Sequence, residues 1–222
     1  MILSIINLQD YTIPEHILFF TGCLGWVIAY VLVIKAIFKE QFIEIPVFAL
    51  CANFAWEFLW SFVFKTDMGE LYVWGYRIWF VLDCVIVYGM FKYGWKQWRD
   101  QKLVKHYKFL IAFCLVCWFA VLYTYIGKWD LPITHMGANS GYILNVMMSL
   151  MYPILLLKMS TTKGFSYVAG WCKGVGTLLI SVFCSLKFGD HYWLLTLCVI
   201  TSILDGWYLV IFTKKRKELV TV

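Results

Sequence analysis

Apolar runs of about twenty residues recur along this chain, each closed by a short polar stretch. A helix needs about 20 residues to cross a hydrocarbon core. By that measure the pattern predicts seven helical spans, over approximately 15–37, 43–64, 72–93, 104–126, 138–158, 165–186 and 191–213. The runs are continuous and lack polar/apolar alternation, so they do not fit a transmembrane β-barrel. No Ser/Pro-rich or low-complexity stretch divides them. The expected fold is all-α, a single bundle of seven transmembrane helices forming one domain over residues 1–222.

Composition agrees and narrows the function classes. Of 222 residues, 62% are hydrophobic, 20% aromatic and 14% charged, and the mean hydropathy is +0.75. Soluble domains carry about a quarter charged residues, so a soluble enzyme and a nucleic-acid-binding domain are both excluded. The net charge of +6 is a matter of placement. At the span ends and in the connections, one side collects Lys35, Lys39, Lys92, Lys96, Arg99, Lys102, Lys105, Lys108, Lys158, Lys163, Lys214, Lys215, Arg216 and Lys217. The other side has Lys65, Lys128 and Lys187. The positive-inside rule then predicts the N-terminus outside and the C-terminus in the cytosol, with no nucleic-acid partner needed to explain the charge. The first fourteen residues hold Asp10 and no Lys or Arg, so the first span is expected to be retained rather than cleaved as a signal. All eight cysteines fall in apolar runs and are expected to pack as small hydrophobes, Cys114-x-x-Cys117 included.

Ionisable side chains at membrane depth cost about 2.5–3.5 kcal/mol on insertion scales and are functional candidates by default. Three carboxylates qualify: Glu57, Asp83 and Asp205. Helical spacing puts Asn53, Glu57 and Ser61 on one face of the second span, with Trp56 and Trp60 alongside. A carboxyl group packed against indoles in low dielectric favours its neutral form and can protonate a weakly basic substrate atom. Asp83 shares a face with Tyr76 and Trp79, and Asp205 with Thr201 and Tyr208, beside Trp207. Arg77 and Lys173 are the basic residues inside spans, and either can pair with one of these aspartates. The fifth span adds a stripe of Asn145, Ser149 and Tyr152, bent by Pro153.

The tryptophans exceed what interfacial belts require. Aromatic faces stabilise cations by about 0.5–2 kcal/mol each, which suits carbocation chemistry beside a buried acid. Metal and phosphate motifs are missing from the sequence. There is no HExxH, Walker A, GxGxxG, DDxxD or DxDD, and Asn145-x-x-x-Ser149 is followed by Pro153 where a magnesium triad would need Glu. No metal or other cofactor is expected.

Trp56-Glu57-Phe58, a mid-membrane Asp205 in the last span with Tyr208 after it, and seven short-looped spans together resemble the Pyr4/PaxB-like family of small integral-membrane terpene cyclases. The resemblance covers essentially the whole chain. It implies cyclisation of a linear prenyl chain on an aromatic or indole head, started by protonating a terminal epoxide or alkene. It also implies that Glu57 and Asp205 are the catalytic carboxylates, one as general acid and the other as relay or final proton acceptor. Trp56, Trp60, Tyr76, Trp79, Asp83 and Trp207 would bind substrate or stabilise cations, and Asn53, Asn145 and Tyr208 would orient the acid or the head group. The partners would be a hydrophobic prenylated small molecule and the lipid bilayer. The location would be the endoplasmic reticulum in a eukaryote or the cell membrane in a bacterium. The same buried carboxylates also suit a transporter or proton channel, although the sequence shows no internal repeat and few Gly/Pro interruptions. A retinal-type receptor lacks its lysine, since Asp205 is followed by no Lys before Lys214.

Overall fold

The computed structural model describes residues 4–220, and among these the secondary structure is entirely helical. The helices are α1 (Ile13–Glu40), α2 (Val47–Phe58), α3 (Glu70–Tyr93), α4 (Gln101–Tyr125), a short α5 (Leu131–Thr134), α6 (Ala138–Lys158), α7 (Tyr167–Lys187) and α8 (Tyr192–Val220). Six helical segments are long and apolar enough to cross a membrane. The shorter seventh is α2 with the wide π-turn Leu59–Val63 that continues it. That unit spans about 25 Å at 1.5 Å per residue.

Local chemistry sets the helix ends. α1 begins in a capping box, where Thr12 accepts from the Glu15 backbone N–H while the Glu15 carboxylate accepts from the Thr12 N–H. α4 and α7 start on Asp100 and Ser166, whose side chains accept backbone N–H groups of the first turn.

Helix contacts describe a closed ring in the order α2, α3, α1, α7, α8, α6 and back to α2, with α4 outside against α2. The tightest crossing in the ring is α1 against α7, where Gly22 and Gly176 bring the backbones together. A Cβ on Gly22 would lie 2.8 Å from the Gly176 carbonyl oxygen, and one on Gly176 would lie 2.7 Å from that of Gly22. Outside the ring the surface is apolar. On α4, Phe109, Phe113 and Val116 are exposed, as on the other helices are Ile17, Val81 and Ile203. A water-facing monomer does not carry a surface of that kind, whereas a bilayer requires it.

Candidate active site

The ring encloses a cavity of about 90 Å³. Its walls come from α1 (Phe19, Trp26, Tyr30), α2 (Asn53, Trp56, Glu57), α3 (Tyr76, Trp79), the start and middle of α6 (Gly137 to Met148) and Ile180 of α7. Helix α8 packs on α6 and α7 and contributes no wall residue.

Glu57 is buried at 2% exposure, and its carboxyl group is held from two sides. Tyr30 donates its hydroxyl hydrogen to Glu57 Oε1 at 2.7 Å, and Asn53 Nδ2 lies 2.9 Å from the same oxygen. Asn53 Nδ2 is also 2.6 Å from the Tyr30 hydroxyl and 3.0 Å from Asp83 Oδ2. One amide nitrogen, with two hydrogens to give, thus serves three acceptors on α1, α2 and α3. Glu57 Oε2 and Asp83 Oδ1 are buried without a partner. Among the described residues, neither Glu57 nor Asp83 has a cation within ion-pair distance.

The aromatic walls are interlocked. Trp56 and Tyr76 meet edge to face at 5.5 Å, and Tyr76 meets Trp79 at 5.7 Å in the same manner. The Tyr76 hydroxyl donates to the Met136 carbonyl at 2.7 Å. Trp60 lies behind this layer, fully buried against Trp56 and Tyr76, and supports the wall without lining it. Gly137 completes the corner with φ +86°, and a Cβ there would come within 2.7 Å of the Trp60 indole. Besides Glu57 Oε2, two polar atoms on wall residues have no partner among the described residues: Asn145 Oδ1 and Trp79 Nε1.

The last helix holds a different arrangement. Asp205 Oδ1 is paired with Lys173 Nζ at 2.5 Å, and Lys173 also donates to Ser149 Oγ at 2.8 Å, which ties α6, α7 and α8 together. Of the two aspartates that the sequence offers to Lys173, it is Asp205 that takes it. Asp83 is left with the Asn53 amide. Asp205 and Tyr208 are buried but lie outside the cavity wall. Trp207, 44% exposed, points outward from α8 and does not line the cavity. Helical phase explains the split, because Trp207 follows Asp205 by about 200° of rotation. Arg77 reaches outward, with its guanidinium 4.7 Å from the Trp74 ring centre, and pairs with neither aspartate.

Two residues of this site are not legible as such in the sequence. Tyr30 is one tyrosine among many in apolar spans, and its nearest signal is Trp26 one turn earlier on the same face. Asp130, placed by the sequence in a loop, ends the π-turn Ile126–Asp130 that continues α4, and its fully buried side chain reaches the start of α6. It accepts from the Asn139 and Ser140 backbone N–H groups at 3.1 and 2.7 Å and from the Ser140 hydroxyl. Ser140 Oγ in turn accepts the Trp56 indole N–H at 2.7 Å. An acid at a helix N-terminus, where the dipole favours negative charge, therefore fixes the orientation of a cavity tryptophan.

A membrane-embedded ring of helices around an aromatic cavity with a buried, unpaired acid defines an intramembrane enzyme for an apolar substrate. The sequence pattern of the Pyr4-like transmembrane terpene cyclases matches residues 7–218, and the chain belongs to that family. The Pyr4-family terpene cyclase mfmH of Annulohypoxylon moriforme is 30% identical over 175 residues, covering 77% of this chain and 68% of that protein. Terpene cyclase macJ of Penicillium terrestre is 26% identical over 187 residues, covering 82% and 69%. Terpene cyclase andB of Emericella variicolor is 26% identical over 209 residues, covering 88% and 86%. No solved structure matches the chain. The protein is a multi-pass integral membrane terpene cyclase acting on a hydrophobic substrate in a lipid environment.

Proposed function

We propose that the reaction begins with protonation by Glu57 of a terminal epoxide or alkene on a prenylated substrate with an aromatic or indole head. The supporting observation is a buried carboxyl group on the cavity wall with no cation near it. An isolated charge in such surroundings is costly, so the resting form is the neutral acid. Glu57 Oε2 has no partner among the described residues and is able to meet the substrate. Once the proton is given, the carboxylate is stabilised by the Tyr30 hydroxyl and the Asn53 amide, which are already aligned on Oε1. Such pre-organised donors lower the barrier without reorganising during the step.

The cation that forms then lies among Trp26, Trp56, Tyr76 and Trp79, each aromatic face contributing about 0.5–2 kcal/mol. Cyclisation ends with loss of a proton, so substrate and product have the same mass. The unpartnered Asn145 Oδ1 and Trp79 Nε1 are an acceptor and a donor for the polar atoms of the head group. Asp205 acts at one remove by holding Lys173 and Ser149 in place beneath Asn145. The N-terminus faces outward and the C-terminus the cytosol, and in a eukaryotic cell the membrane is that of the endoplasmic reticulum.

The experiment is a membrane assay with a panel of epoxidised and non-epoxidised prenyl-aromatic compounds, scored by chromatography for products of unchanged mass. A new isobaric peak that disappears in Glu57→Gln is the expected result. Undiminished product from well-folded Glu57→Gln protein would overturn the assignment of the acid.

A further inference from the structure

A second, smaller cavity adjoins the first and shares Trp26, Tyr30 and Met148 with it as wall residues. Its volume is about 20 Å³. A water molecule needs about 10–15 Å³ of such space, so the cavity suits a single water and excludes a prenyl group or an aromatic head. Two of its walls are polar. Glu44, in the loop between α1 and α2, is 1% exposed; Oε2 accepts the Ser166 backbone N–H at 2.7 Å, and Oε1 has no partner. Lys173 spends two of its three N–H donors on Ser149 and Asp205, which leaves the third for the cavity. A cavity lined by a buried carboxyl group with one unpartnered oxygen and by a lysine with a spare donor is the setting in which ordered water is found.

We propose that this cavity is a water site through which Glu44 returns protons to Glu57 by way of Tyr30. The proposal rests on the reading of Glu57 as the acid. Each cycle removes a proton from Glu57 at the start and releases one from the cyclised cation at the end. The two events occur at different carbons of the substrate, so the released proton does not of itself return to Glu57. The return is one concerted shift. A proton leaves a Glu44 carboxyl oxygen for the water, one of the water's protons passes to the Tyr30 oxygen, and the Tyr30 proton crosses its 2.7 Å hydrogen bond to Glu57 Oε1. At the water and Tyr30 oxygens one O–H bond forms as another breaks, while Glu44 loses an O–H bond and Glu57 gains one. Glu57 ends protonated, and Glu44 ends ionised and is recharged at the loop face. A half-turn of the Glu57 carboxyl group then presents the proton to the main cavity. Burial pushes Glu44 up to about 8, against the pull of the Ser166 N–H, so it carries a proton at neutral pH and parts with it readily.

The test needs no substrate. The full chain in lipid bilayers is transferred from H₂O to D₂O, and infrared difference spectra track the C=O stretch of the protonated Glu57, assigned by its loss in Glu57→Gln. In the wild-type protein this band shifts as deuterium arrives. Glu44→Gln retains a side-chain oxygen to accept the Ser166 N–H, and Ala169→Leu fills the small cavity while leaving both carboxyl groups in place. Both should slow the Glu57 shift by about ten-fold or more. An unchanged exchange rate in either folded variant would overturn the route and leave Glu57 as the acid. A wild-type spectrum without any Glu57-dependent band would overturn the acid assignment itself, and the route with it.

Discussion

At residue scale, the proposed chemistry turns on how few partners Glu57 has. A carboxyl group at this depth is tolerated when it is neutral or paired, and its neighbours here are a hydroxyl and an amide rather than a lysine. The nearby lysine, Lys173, is paired with Asp205 instead, outside the cavity wall. Glu57→Gln should therefore abolish turnover while thermal unfolding in detergent shifts by less than about 1 kcal/mol, because the amide preserves shape and still accepts from Tyr30. Asn53→Ala should do the opposite first. It strips the shared donor from Tyr30, Glu57 and Asp83 at once, and the unpaired buried groups should cost about 1–3 kcal/mol in the same melts. Asp130→Asn removes the charge that anchors Ser140 and, through it, Trp56. Its expected signature is an altered ratio of cyclised products from one substrate, since a rotated indole stabilises a different cation.

Helical elements position these side chains by departing from regular geometry at chosen points. The π-turn Leu59–Val63 comes directly after the helical stretch carrying Glu57, and the Phe64 N–H closes it on the Leu59 carbonyl at 2.7 Å. A widened turn shifts the rotational phase of the residues beyond it. This breaks the stripe of Asn53, Glu57 and Ser61 expected from regular spacing, and Ser61 lies off the cavity wall. At the start of α6, Gly137 in the left-handed region lets backbone pack on the Trp60 face. Gly137→Ala combines backbone strain with a clash at 2.7 Å, and should destabilise the protein by about 1–3 kcal/mol with loss of activity. The tie between α6, α7 and α8 is tested by Asp205→Asn, which leaves Lys173 charged and uncompensated in the core. A broken buried pair costs about 3–5 kcal/mol, so this variant should lose stability as well as turnover. Glu57→Gln should lose turnover alone.

For the whole molecule, the ring order explains why the last helix carries an acid that is buried yet absent from the cavity wall. Helix α8 closes the ring between α6 and α7 on the side away from Glu57. The basic residues that predict orientation yield a further test. Epitope tags at the two ends, probed with protease on sealed microsomes, should show the C-terminal tag digested and the N-terminal tag protected. The reverse pattern would overturn the assigned topology. The membrane class and the helical segments were legible in the sequence because every backbone polar group in a spanning helix is satisfied within the segment. Length and hydropathy are then sufficient, and no distant contact is needed to form the element. The carboxylates were legible too, since a charge at that depth is rare whatever surrounds it. The tertiary structure alone decided which acid faces the cavity, that Lys173 neutralises Asp205 and not Asp83, that Trp207 points outward, and that Tyr30 and Asp130 belong to the site. The physical reason is that lipid is as apolar as the protein interior. Helices apolar on every side carry little record of which face turns inward, and rotational phase and neighbour order are fixed only when small residues, polar ties and ring packing meet across the bundle.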